Sequence, residues 1–188
     1  MQRLWSAEHR RMRWKNGKGE TVEIAVHPPG AALDAFAWRV STAAVVEDGP
    51  FSCFDGVDRT LAVLAGGTLR LQIGAAPACQ LDPTSDPLAF AADAPCHAQL
   101  FGGVVADLNI MSRRGLWQHR LQRLACAVPI AQASVMAVLV AAPGPATVRV
   151  DGVTLDLGPL DALRLEAGQT VTLLDGDGWL AQFDPSSA

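Results

Sequence analysis

The sequence predicts an all-β protein assembled from two barrel-like units, and three observations carry that expectation. Segments with strand periodicity recur along the chain, glycine and proline interrupt it every few residues, and one strand–turn–strand pattern occurs twice. In residues 68–73 apolar and polar side chains alternate, which puts Leu69, Leu71 and Ile73 on one face of a strand. Residues 134–140 form a nearly continuous apolar run, the pattern of a strand covered on both faces. Residues 147–157 hold Asp151-Gly152 between two alternating arms, a strong hairpin signal because both turn positions of a type I′ turn need positive φ. Residues 170–174 and 179–183 flank Asp177-Gly178 and predict a second hairpin. Only residues 114–124 leave room for a helical turn or two.

The repeat sets the architecture. Residues 62–71 resemble residues 137–150, with a longer turn in the second copy, and residues 86–93 align loosely with residues 160–168. Each copy reads as strand, turn, strand and then an acidic turn leading into another strand, which suits a duplicated barrel unit. Closing such sheets on themselves also removes exposed edges, an advantage for so apolar a chain.

Composition narrows the function classes. A chain 49% hydrophobic and 18% charged has the material for a packed core and too little charge for disorder. Its net charge of −4 argues against a general nucleic-acid binder. The bases Arg3, Arg10, Arg11, Arg13, Lys15 and Lys18 crowd the first 23 residues, whereas acids dominate from Asp151 onward. Cys53, Cys79, Cys96 and Cys126 show no paired spacing, and no positive segment followed by an apolar run opens the chain. Reduced thiols in the cytoplasm are the expectation. The most apolar stretch, residues 125–145, is broken by Pro129, Gln132, Ser134 and Pro143, so no membrane span is predicted.

No metal or cofactor is expected. His9, His27, His97 and His119 are isolated, and Cys96-His97 point to opposite faces of a strand. No G-x-S-x-G occurs, and Gly17 and Gly19 lack the rest of a phosphate-binding loop. Three polar segments remain. Thr21 and Glu23 share a strand face opposite Val22, Ile24 and Val26. Arg39 and Ser41 share another, and Asp107 and Asn109 a third, opposite Leu108 and Ile110. Arginine, serine, aspartate and asparagine suit fixed hydrogen bonds better than a solvent face does. Lys15, Arg39 and Arg59 around one mouth favour a carboxylate, which arginine can grip with two parallel bonds. Gly17 and Gly19 let backbone N–H groups approach the same anion.

These segments carry a resemblance. Trp14-Lys15-Asn16-Gly17 with Gly19, Thr21 and Glu23 is similar to the signature of the HutD/Ves family. The match continues through Trp38-Arg39, Ser41 and Ala43, then Asp48-Gly49-Pro50-Phe51-Ser52, Phe54, Gly56 and Asp58-Arg59. It resumes at Phe90, Leu100, Gly103, Asp107-Leu108-Asn109, Met111 and Arg113-Arg114, covering most of residues 10–114. One departure is Lys18, where the family usually has glycine.

The resemblance implies a bicupin, two fused jelly-roll-like cupin barrels in one compact body. The first unit is expected near residues 10–112 and the second near 113–188, with strands exchanged between them. It implies no assigned enzymatic activity. HutD members are associated with bacterial histidine utilisation, as regulators that sense a small carboxylate such as urocanate or a formylglutamate-like compound. The leading expectation is therefore a non-enzymatic metabolite-binding regulator, monomer or homodimer, with no direct nucleic-acid or membrane partner. Lys15, Arg39 and Arg59 would meet the carboxylate. Asn16, Thr21, Ser41, Ser52 and Asn109 would supply neutral hydrogen bonds beside Gly17 and Phe51, with Glu23 and Asp107 as orienting acids. The alternative is a metal-independent isomerase or hydrolase acting on the same acid, with Glu23 or Asp107 as general base.

Overall fold

A computed structural model of the chain describes residues 1–14 and 19–186. Its first nine strands are β1 (Gln2–Leu4), β2 (Arg10–Arg13), β3 (Glu20–His27), β4 (Trp38–Val45), β5 (Gly49–Pro50), β6 (Val57–Ile73), β7 (Cys79–Leu81), β8 (Leu88–Ala91) and β9 (Cys96–Arg113). Then follow β10 (Trp117–Arg123), β11 (Pro129–Ala131), β12 (Met136–Val150), β13 (Val153–Leu157), β14 (Ala162–Glu166) and β15 (Thr170–Pro185). Helical structure among the described residues is confined to the 3₁₀ turn Ser6–Glu8. No helix there is long and apolar enough to cross a membrane. The strands make two antiparallel sheets, and the chain separates into two compact units, Arg10–Leu116 and Met1–His9 with Trp117–Ala188.

In the unit Arg10–Leu116 the strand order is β2-β3-β4-β9-β6-β7, with β5 on β9 and β8 on β6. The long strands β6 and β9 run side by side from Val57↔Arg113 to Ile73↔Cys96, with register shifts between Val63 and Ala65 and between Gly66 and Thr68. Gly66 takes φ +99°, and a Cβ there would stand 2.0 Å from the Val104 carbonyl oxygen. Glycine alone lets the two backbones approach so closely and bend. As a result both halves of β6, Leu61 and Val63 on one side and Leu69 and Leu71 on the other, pack into one apolar cluster with Val45, Ala98 and Val105.

The other unit repeats this plan. Its order is β1-β14-β12-β15-β10, with β11 on β15 and β13 on β12. β12 pairs with β13, β14 and β15 as β6 pairs with β7, β8 and β9. Strand β1 joins it far from its own sequence neighbours, through Gln2↔Arg164 and Leu4↔Ala162. Arg3 Nη2 and the Ser6 N–H each donate 2.9 Å to the buried Asp161 carboxylate. Its apolar core is built on Leu139, Leu163, Leu165, Val171, Leu173 and Leu180, with Gln132 and Gln182 buried and hydrogen-bonded to each other in the same unit.

Three expectations need correction. Residues 114–124 are not helical: Trp117–Arg123 is an edge strand paired along its length with β15. The Asp151-Gly152 hairpin forms, with φ +48° and +86°, but Asp177-Gly178 makes no turn. There β15 runs on beside β12, and the register shifts where residues 142–145 of β12 stand opposite Asp177, next to Gly176 at φ +84°. Finally, a bulge between Glu23 and Ala25 shifts β3, so Val26 pairs with Arg39 and packs with Met111 on the Glu23 side.

Candidate functional site

The unit Arg10–Leu116 holds a chamber of about 670 Å³ against one face of its sheet. Strand pairing builds its floor in rows. Arg39, Met111 and Arg59 form one row across β4, β9 and β6. Two residues further along, Glu23, Ser41 and Asn109 form the next row, and then Thr21, Ala43 and Asp107. The period of two along each strand brings all three rows to the same face.

The polar groups are tied to one another. Arg39 Nε donates 2.7 Å to Glu23 Oε2, both residues being under 8% exposed. Arg39 Nη2 is buried with no hydrogen-bond partner among the described residues. Arg59 Nε donates 2.8 Å to Asn109 Oδ1, which also accepts from Arg59 Nη2. Asn109 Nδ2 in turn donates 2.7 Å to Asp107 Oδ1, and the Ala43 N–H donates 3.0 Å to the same oxygen. The Arg59 guanidinium lies over Phe51, 4.7 Å from the ring centre, and 5.6 Å from that of Phe90. Burial lowers the Arg59 guanidinium from its ordinary value, against the pull of Asp107. Burial likewise pushes the Asp107 carboxyl up to about 6, opposed by Arg59 and by the Ala43 and Asn109 donors.

The rim comes from flanking segments. Trp14 and Thr21 both line the chamber, with Trp14 Nε1 donating 2.8 Å to Thr21 Oγ1. The indole lies on Gly19, where a Cβ would meet its ring atoms at 2.7–2.9 Å.

Of the residues singled out by sequence, Thr21, Arg39, Ser41, Phe51, Ser52, Arg59, Asp107 and Asn109 line one chamber. Glu23 is not on its wall; it is buried and held by Arg39. Lys15, Asn16 and Gly17 lie outside the described residues. Arg13, one of the bases crowded into the first 23 residues, lines it too. So do Met12, Leu33 and Glu47, which no sequence reasoning placed there, although Met12 stands close to the Trp14 motif. Among the described residues no three His, Cys, Asp or Glu side chains gather as metal ligands.

Known proteins share this architecture and its sequence. An uncharacterized 21.2 kDa protein in the hutC 3′ region of Pseudomonas putida is 34% identical over 95% of this chain and 93% of its own length. Protein Ves of Citrobacter koseri is 41% identical over 54% of this chain and 52% of its own. The structure of HutD from Pseudomonas fluorescens (formate condition) superposes with a TM-score of 0.84 at 28% identity, covering 99% of both chains. At 10% identity, a cupin 2 conserved barrel domain protein from Leptotrichia buccalis gives a TM-score of 0.58 over 97% of this chain and all of its own, a likeness of fold alone. The HutD family model matches residues 6–182. The chain belongs to the HutD family.

Proposed function

We propose that this protein binds a small carboxylate metabolite of histidine utilisation in the chamber of the unit Arg10–Leu116, and that it acts as a regulator by sensing that acid. The observation that carries the reading is Arg39. Its guanidinium is buried on the chamber wall with one nitrogen satisfied by Glu23 and another, Nη2, without a partner among the described residues. A buried donor left unsatisfied costs roughly 1–3 kcal/mol, and a ligand oxygen placed there would recover it. Arg59 on the same row supplies a second cation. The Pseudomonas putida relative lies beside a hut gene, which supports the histidine-utilisation context. The architecture fits two cupin barrels joined in a bicupin, with residues 10–112 as the barrel that binds and the rest as its structural partner.

A thermal-shift series with urocanate and N-formylglutamate tests this. At 100 times Kd, binding adds about 2.7 kcal/mol to stability. The control is the double variant Arg39→Gln/Glu23→Gln, because removing Arg39 alone would strand a buried carboxylate. Equal shifts in wild type and double variant would sink the reading.

One observation favours a second reading, that of a metal-independent enzyme. Asp107 has a carboxyl raised toward neutrality in the chamber wall, as a general base requires. Recovery of changed ligand from the wild type, and not from Asp107→Asn, would decide for it.

A further inference from the structure

The two cations of the chamber are neutralised unequally. Arg39 is hydrogen-bonded to Glu23 directly, whereas Arg59 is hydrogen-bonded to the amide of Asn109, which in turn donates to Asp107. Both ends of that amide are committed, Oδ1 to Arg59 and Nδ2 to Asp107, so its orientation is fixed by its neighbours. Asp107 is 1% exposed, and the donors on its Oδ1 are both neutral N–H groups. The charge that favours its ionised form is Arg59.

Other charged groups among the described residues also bear on this chamber. Glu23 on β3 is spent on Arg39 of β4, and Cys96 of β9 acts on Arg59. Arg13 at the end of β2 and Glu47 and Asp48 ahead of β5 lie on the chamber wall. A carboxylate settling on Arg59 therefore removes the support that Asp107 has, and brings a like charge toward it. Burial makes either effect hard to screen.

We infer that anion binding in this chamber is coupled to uptake of one proton by Asp107, with Asn109 relaying the charge state of Arg59. The inference rests on the carboxylate reading above and adds a pH response to it. The proton comes from solvent and enters on Oδ2, since Oδ1 already accepts two N–H groups. The proton then offsets one negative charge of the incoming ligand. The unliganded carboxyl titrates near pH 6, and binding moves it higher. Below pH 6 Asp107 is protonated in both states and affinity is flat. Above it, Kd rises by up to about tenfold per pH unit until the liganded carboxyl also ionises.

Calorimetric titration of the full chain with N-formylglutamate from pH 5.5 to 8.5 tests this, because that probe's own carboxylates stay ionised throughout. The wild type should weaken with rising pH and, at pH 7, take up protons when compared in two buffers of different ionisation enthalpy. Asp107→Asn should bind with a flat Kd and no proton uptake. Binding by the wild type with a flat Kd overturns the coupling and leaves the carboxylate reading intact. A slope that persists in Asp107→Asn also overturns it, by assigning the proton to another group. No binding at any pH removes the carboxylate reading and the coupling with it.

Discussion

Asp107 shows what a single buried acid does to the stability of the empty protein. A folded-state carboxyl near 6, against 3.8 unfolded, means the native chain binds more protons than the unfolded one between those values. Stability therefore falls as pH rises through that window, and the whole cost is present above it. At 1.36 kcal/mol per pH unit the cost is on the order of 3 kcal/mol. Asp107→Asn keeps an oxygen for the Ala43 and Asn109 donors and removes the charge. At pH 8 the variant should melt several degrees above wild type, at about 2–4 °C per kcal/mol for a chain of this size. Scanning calorimetry at pH 4.5 should find most of that difference gone. Site residues of this kind were legible because strand periodicity is local: Arg39 with Ser41, and Asp107 with Asn109, face together whatever lies beyond the strand. Glu23 was expected as an orienting acid, and it accepts from Arg39. Which base it meets depends on register across β3 and β4, which no single strand encodes.

At the scale of elements, glycine decides where the long strands bend. Gly66→Ala meets two costs, a left-handed φ and a contact of 2.0 Å with the Val104 carbonyl oxygen, each worth about 1–3 kcal/mol. Gly103 has φ +108° and nothing within 4 Å of its missing Cβ, so Gly103→Ala meets only the first. Urea titration of both variants should show Gly66→Ala as clearly the weaker protein. Equal losses would mean that the close approach of β6 and β9 is not what glycine is needed for. The same bends explain where sequence reading failed. Asp151-Gly152 and Asp177-Gly178 carry the same turn signal, yet only the first is a turn. Next to the second, Gly176 is pressed against Pro145 and Ala146 of β12, and the long-range pairing of β12 with β15 overrides the local preference. Strand β10 was missed for a related reason: its polar, unbranched sequence has little strand character, and its pairing with β15 supplies it.

Across the whole molecule, two units share one pairing plan and differ in what fills them. The unit Arg10–Leu116 lines part of its interior with arginine, aspartate and asparagine, while the other closes over leucine and valine. The repeat was readable because it lies in the strand pairs that both units need. The chamber rim was not, because Leu33 and Glu47 reach it from connections whose path depends on everything around them. The apolar unit has its own polar fastening, in which Arg3 and Ser6 hold Asp161. Burial works against that carboxylate, but the Ser6 N–H and Arg3 outweigh it and keep it below the ordinary range. Such stabilisation is present above the unfolded value and is lost as pH falls through the folded one. Arg3→Ala leaves a largely buried charge with fewer donors. It should cost about 1–3 kcal/mol at pH 7 and much less at pH 3, measured by denaturant midpoints.

The pairing of β1 with β14 also imposes an order in time. On the ribosome, the segment Arg10–Leu116 emerges with every strand of its sheet in hand and can close while translation continues. The other unit cannot, since its first strand is made before that segment and β15, which pairs with β10, β11 and β12, is made after all three. The half that bears the chamber is thus ready early, and the opening residues must wait until the strands that complete their sheet arrive.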